Sequence, residues 1–188
     1  MTQGIILAAG FSSRAKINKL LLQTNDKSLI SHAIEGMFPH VEKIFVVTGY
    51  YHDEIFNAIK HYKNVIIVKN DEFERGMFSS ILVGIKNVSD DFFILPGDCP
   101  FVNYETYEKL LKGNKDIRVP AYLNRKGHPI FLKFRYKDLL LKEPVTSNLK
   151  DFRNRHDYEI INTEDKNVLI DIDTMNDFQN LQIDRKEK

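Results

Sequence analysis

Four short apolar runs, at residues 5–7, 44–47, 65–68 and 92–95, recur through the first half of the chain with no polar residue alternating inside them. Runs of that length, rich in β-branched residues, suit strands buried on both faces, as in a parallel sheet covered by helices. Between them apolar residues return at helical spacing. Leu29, Ala33 and Met37 share one face, Ile55 and Ile59 another, and Met77, Ile81, Ile85 and Val88 make a stripe over three turns. The alternation predicts a Rossmann-like, doubly wound α/β fold with a mostly parallel sheet through about residue 112, with functional residues at strand carboxyl ends. The later part is less regular. Residues 117–122 and 129–134 read as strands around a loop at 124–128, and 137–141 as a short helix. Two more strands are expected at 158–161 and 168–172. Thr174 then opens a last helix, with Asp177 three residues on as a variant capping box.

Composition narrows the class. A chain of 188 residues can bury roughly 70% of the surface its unfolded form exposes, and 43% hydrophobic with 28% charged residues is ordinary for a globular protein. A net charge of +1 argues against a broad nucleic-acid footprint. The one cysteine, Cys99, excludes an internal disulfide and a thiolate zinc site and points to a reducing compartment. No stretch of about 18 apolar residues occurs, and residues 4–9 are too short for a signal-peptide core, so a cytoplasmic protein without membrane contact is expected.

Chemistry concentrates after the first strand. The run from Gly4 to Ala9 opens into Gly10-Phe11-Ser12-Ser13-Arg14, and Lys19 follows five residues later. A buried strand feeding a loop with free backbone N–H groups, then cations, is what a polyphosphate requires, which predicts a nucleotide site. The spacing is neither the Walker pattern nor the dinucleotide fingerprint. Arg14 suits bidentate phosphate contact, whereas the flexible Lys19 can follow charge developing during transfer. Asp98, in Pro96-Gly97-Asp98, ends a strand, and Asp171 and Asp173 end the last expected one. Hard carboxylate oxygens there suit Mg²⁺ on a triphosphate. On residues alone, Asp98 reads equally as a turn carboxylate and Asp173 as a helix cap, with Asp171 slightly favoured for metal. Gly76, Ser79 and Ser80 open the 77–88 helix, where its dipole favours an anion or a polar sugar edge.

Several motifs stand together in one order. Leu7-Ala8-Ala9-Gly10-x-Ser12-x-Arg14 with Lys19-Leu20-Leu21 resembles the signature loop of the MobA-like nucleotidyltransferases, nearest their molybdenum cofactor cytidylyltransferase branch. Arg75-Gly76-Met77-x-Ser79-Ser80, Pro96-Gly97-Asp98-Cys99-Pro100, Gly127-His128-Pro129 and Asp171-Ile172-Asp173-Thr174 continue the resemblance. Two positions depart from it: Lys16 stands where the family has glycine, and Val145-Thr146-Ser147-Asn148 replaces a Gly-Asp-x-Gly segment.

The resemblance implies one nucleotidyltransferase domain over 1–188, with a nucleotide-binding half at 1–112 and an acceptor-side subregion plus C-terminal helix at 113–188. It implies Mg²⁺-dependent transfer of a nucleoside monophosphate, CMP from CTP, to a phosphorylated acceptor, namely molybdopterin or its molybdenum form, with release of pyrophosphate. GTP, or a sugar or alcohol phosphate acceptor, is the near alternative; a non-catalytic nucleotide-binding or cofactor-delivery protein is the farther one. Nucleotide contacts fall on Leu7, Ala8, Ala9, Gly10, Ser12, Arg14, Lys19, Gly76, Ser79 and Ser80, and catalysis on Arg14, Lys19 and Asp98. Metal ligation falls on Asp98 with Asp171 or Asp173, and acceptor contact on His128. The product would pass to a molybdoenzyme or its chaperone. Ala8-Ala9, where the guanylyl branch has Leu-Ala-Gly-Gly, weighs toward a pyrimidine.

Overall fold

The computed structural model describes residues 1–11 and 17–186, with side chains through residue 180. The apolar runs form the expected strands: β1 (Thr2–Ala8), then a small hairpin of β2 (Gln23–Thr24) and β3 (Lys27–Ser28), β4 (Lys43–Thr48), β5 (Val65–Lys69) and β6 (Asp91–Pro96). Helices α1 (Leu29–Met37), α2 (His52–Ile59), α3 (Met77–Asn87) and α4 (Tyr104–Lys112) alternate with them. The second part adds β7 (Ile117–Tyr122), β8 (Arg125–Lys126), β9 (Ile130–Leu132), α5 (Lys137–Leu141), α6 (Leu149–Asn154), β10 (Glu159–Asn162) and α7 (Met175–Lys186). The main sheet runs β10-β7-β9-β6-β1-β4-β5, with β8 paired to β7. β1 pairs in parallel with both β4 and β6, whereas β9 is antiparallel to β6 and β7. The fold is α/β with a mostly parallel mixed sheet.

Period-two alternation sends each strand's side chains to two opposite layers. Ile6, Val46, Phe93 and Leu95 pack with Ile34 and Met37 of α1, Ile59 of α2 and Leu110 of α4. Ile5, Val47, Phe92 and Ile94 pack with Ile81 and Ile85 of α3, Leu140 of α5 and Phe152 of α6. Both faces of β1 are therefore covered, which is why its run carries no polar alternation. A Cβ on Gly84 would lie 2.6 Å from Ile5 Cγ2, so the glycine lets α3 approach the central strand. Successive parallel strands lie on either side of β1, and the crevice beyond its carboxyl end is the switch point where open α/β sheets bind ligands.

The expected strand over 168–172 is absent. Residues Lys166–Leu169 form a 3₁₀ turn instead. The cause is a polar tertiary node: the buried Asp165 carboxylate accepts from the backbone N–H groups of Asn103 (2.8 Å) and Asn167 (3.0 Å) and from the Thr106 hydroxyl (3.0 Å). The segment's own backbone then bonds loops, with His128 N–H donating to Val168 (2.8 Å) and Ile172 N–H to Asp98 (3.0 Å). The capping box at the last helix is present, Thr174 N–H donating to Asp177 Oδ2 at 2.7 Å and Asp177 N–H to Thr174 Oγ1 at 3.2 Å.

His40 is buried between the rings of Tyr104 and Tyr107, and among the described residues neither ring nitrogen has a hydrogen-bond partner. Glu108 lies 3.5 Å from Nδ1, close enough to attract a charge on the ring. Burial lowers the His40 pKa and outweighs the carboxylate. A histidine whose folded pKa is depressed binds protons more readily when unfolded, so its contribution to stability is present above the ordinary histidine pKa and falls as pH drops below it. His40→Phe is expected to show a shallower loss of urea-unfolding stability between about pH 7 and pH 5 than the wild type. An unchanged slope would remove His40 from the acid response.

Candidate active site

The carboxyl ends of β1 and β6 are tied together by one bond, Gly97 N–H to the Leu7 carbonyl at 2.9 Å. A Cβ on Gly97 would stand 2.9 Å from that carbonyl oxygen, so glycine permits the approach that sets Asp98 beside the Ala8-Ala9-Gly10 loop. Beyond Gly10, the Phe11 ring packs on Phe73 and Tyr50 at centroid distances of 5.0 and 5.2 Å, giving the loop an aromatic wall.

Lys19 opens the 3₁₀ turn Lys19–Leu21 and reaches back across this strand end. Its Nζ lies 2.7 Å from Asp98 Oδ2 and 3.0 Å from Asp173 Oδ1, with 13% of the side chain exposed. Burial pulls the Lys19 pKa down, but the two carboxylates outweigh it and hold the ammonium above its ordinary value. Ile172 N–H bonded to the Asp98 carbonyl brings the 171–173 segment here. Because Thr174 and Asp177 cap α7 reciprocally, the Asp173 carboxylate is left to face Lys19. Asp171 is exposed and does not line the cavity beside Asp98.

This donor set fits a divalent cation. Two carboxylate oxygens already converge on one positive charge, and Mg²⁺ on a triphosphate needs only one or two protein carboxylates. Among the described residues no three His, Cys, Asp or Glu side chains gather into a metal site, so the phosphates would have to complete the coordination.

The opposite wall comes from the start of α3. Gly76 has φ +98°, a conformation that strains any residue with a Cβ, and it turns the chain from the 3₁₀ segment Phe73–Arg75 into the helix. The Ser79 hydroxyl donates back to the Gly76 carbonyl at 2.8 Å. Ser80, 3% exposed, lines the cavity. That cavity has a volume of about 490 Å³ and takes in Leu7 through Phe11, Lys19, Gly76, Ser80, Asp98 and Asp173. Of the residues singled out in the sequence, these stand together, whereas Ser79 is turned onto backbone. Ser12, Arg14 and Lys16 lie outside the described residues.

His128 lines a second, mostly apolar cavity of about 240 Å³, with Asn148 and Lys150 at its polar edge. It shares Leu7, Met77 and Pro96 with the first. Burial lowers the His128 pKa, with Asp98 and Asp171 opposing, which favours the neutral ring. Cys99 is buried, and burial with the Asp98 charge pushes its thiol far up, which fits a packing residue rather than a nucleophile. Sequence reasoning missed Phe11, Phe73 and Met77 as walls, because each reads as one more apolar residue. It also missed α6, although Asn148-x-x-Asp151 is an N-cap signal, realised as Asp151 N–H to Asn148 Oδ1 at 2.8 Å.

Comparison with known proteins bears on this geometry. The molybdenum cofactor cytidylyltransferase of Escherichia coli K12 is 25% identical over 176 residues, 93% of this chain and 92% of that protein. A probable molybdenum cofactor guanylyltransferase of Natranaerobius thermophilus is 27% identical over 164 residues, 79% of this chain and 78% of that one. The crystal structure of Rv0371c from Mycobacterium tuberculosis H37Rv superposes with a TM-score of 0.82 at 21% identity, covering 96% of this chain and 97% of that one, and so shares the fold. The family description "MobA-like NTP transferase domain" matches residues 4–159. With that match over most of its length, the chain belongs to the MobA-like NTP transferase family and is a nucleotidyltransferase.

Proposed function

We propose that this enzyme transfers CMP from CTP to a phosphorylated small-molecule acceptor, the phosphate of molybdopterin or its molybdenum form, in the cytoplasm. The observation that carries the reading is the Lys19 ammonium held by Asp98 and Asp173 at the strand ends, facing a cavity walled by the Ala8-Ala9-Gly10 loop and Ser80. When bound there, Mg²⁺ would neutralise phosphate charge as a Lewis acid, with Asp98 and Asp173 as its protein ligands. The loop's small residues let backbone N–H groups approach the triphosphate. Lys19, released from one of its carboxylates, follows the charge that builds on the α-phosphoryl oxygens and the leaving group. An acceptor phosphate oxygen supplies the electron pair for the new bond to the α-phosphorus, and the bond to the β-phosphate oxygen breaks, pyrophosphate leaving with that pair.

The second cavity supports the acceptor's place. It meets the first at Leu7, Met77 and Pro96, so an acceptor lying in it directs its phosphate toward Asp98 and Lys19. The neutral His128 ring offers a hydrogen bond without adding charge, while Lys150 offers one. Delivery of the product to a molybdoenzyme or its chaperone is part of the same reading.

A thermal-unfolding screen of the four ribonucleoside triphosphates with Mg²⁺ tests the donor. A ligand bound only by the native state at about 100 times its Kd adds about 2.7 kcal/mol. CTP is expected to stabilise most, ahead of GTP by about 1 to 3 kcal/mol of binding discrimination. Equal stabilisation, or preference for GTP, refutes the cytidine reading.

A further inference from the structure

The cavity lined by His128 borders a group of cations that belongs to none of the motifs in the sequence. Lys150 of α6 lines that cavity, and Arg153, about one turn further along the helix, lies on the same face as Leu149 and Lys150. The Arg153 guanidinium stands 5.0 Å from the centre of the Tyr158 ring, and Nζ of Lys126 in β8, two residues before His128, stands 5.1 Å from the same centre. The Arg153 charge is near enough to His128 to act against its protonation.

Among the described residues none of these three cations pairs with a carboxylate. The acids around them are taken up elsewhere: Asp151 by Asn148 at 2.7 Å, Asp157 by Lys115 at 2.6 Å, Glu143 by Arg155 at 2.6 Å, and Glu159 by the backbone N–H groups of Asn114 and Lys115. Arg153, half-buried, spends Nε and Nη2 on the neutral Asn154 Oδ1 at 3.2 and 2.9 Å. Two like charges gathered on one ring repel each other, and an anion set between them is attracted by both.

We infer that Lys126, Lys150 and Arg153 form an anion subsite beside the acceptor cavity, which takes a second negatively charged group of the acceptor, an oxyanion or a thiolate, in addition to its reacting phosphate. The inference rests on the acceptor reading above and deepens it to a substrate class, a molecule with an apolar body and two anionic groups. The reacting phosphate reaches Lys19 and Asp98 past Leu7, Met77 and Pro96, so the rest of the acceptor lies against Ile81, Ile94 and Leu149 and emerges at the cationic edge. An acceptor whose only charge is the reacting phosphate leaves that edge unmatched.

The test is steady-state transfer from CTP to molybdopterin with Mg²⁺ in wild type, Arg153→Gln, Lys126→Gln and the double variant, with Arg153→Lys as the charge-keeping control. The double variant is expected to raise KM for molybdopterin roughly tenfold and to flatten the rise of that KM with salt, while kcat at saturation and the calorimetric Kd for CTP are retained. Arg153→Lys should keep most of the wild-type affinity, because the subsite reads charge. An unmoved KM for molybdopterin overturns the inference and leaves the three cations a solvated face; equal weakening of CTP overturns it too. Should Arg153→Gln not fold, Lys126→Gln decides alone by the same KM. If wild type transfers nothing to molybdopterin, the acceptor reading fails, and titration of inorganic phosphate, with a non-hydrolysable CTP analogue and Mg²⁺ filling the first cavity, still decides the subsite: weaker phosphate binding by the double variant upholds it, and equal binding overturns it.

Discussion

Asp98→Asn is expected to lose magnesium-dependent turnover by roughly 10³-fold, the rate equivalent of the several kcal/mol that a correctly held metal supplies to a transferring phosphoryl group. Asparagine keeps the shape of the side chain and a carbonyl oxygen for Lys19, and it relieves the repulsion between Asp98 and Asp173, which share that ammonium. The fold should therefore survive, with unfolding stability within about 1 kcal/mol of wild type because a hydrogen bond is exchanged rather than lost. Steady-state turnover and urea unfolding on the same preparation separate the two effects. Turnover within a few-fold of wild type would take Asp98 out of the reaction; collapse of the fold would make it a structural residue instead.

Lys19→Met is expected to lower kcat by about 10² to 10³ with a smaller change in nucleotide binding, the range for removing one charge-stabilising donor. It has a second consequence that does not depend on turnover. The ammonium, 2.7 Å from Asp98 and 3.0 Å from Asp173, neutralises the oxygens a metal would use. A divalent cation arriving alone must compete with a tethered one, so wild type should bind Mn²⁺ weakly until nucleotide draws Lys19 toward the phosphates. Methionine removes the competitor while keeping most of the side chain's volume. Electron paramagnetic resonance titration without nucleotide should then show Mn²⁺ binding at least about tenfold tighter in Lys19→Met, a modest fraction of the attraction between unit charges at this range. Equal Mn²⁺ affinity in the two proteins would contradict the shared position of ammonium and metal.

The sheet was legible in the sequence because its strands are buried on both faces. A run such as Phe92-Phe93-Ile94-Leu95, packing alternately on α3 and α1, leaves no room for polar alternation. The Val168 run misled for the same reason inverted: Val168 is buried, but the Asp165 node and the Val168 carbonyl bonded to His128 N–H spend its backbone groups on loops. Apolar content shows that a segment is inside without showing what its backbone pairs with. At the site, Asp98 and Lys19 could be singled out from their places after strands. That Asp173 rather than Asp171 reaches Lys19 depends on one backbone bond, Ile172 to Asp98, which joins positions more than seventy residues apart. A side-chain bridge from Asn70 to Ser79 and Ser80 is hidden likewise, since asparagine after a strand reads as an ordinary turn residue.

Transfer of a nucleotidyl group from CTP is read from pyrophosphate release measured alongside a labelled product. Incubation with α-phosphate-labelled CTP, Mg²⁺ and molybdopterin should release one pyrophosphate for each label found on the acceptor, with neither accumulating when acceptor or metal is omitted. Pyrophosphate release that proceeds equally without acceptor, or none with CTP under any of these conditions, would contradict it.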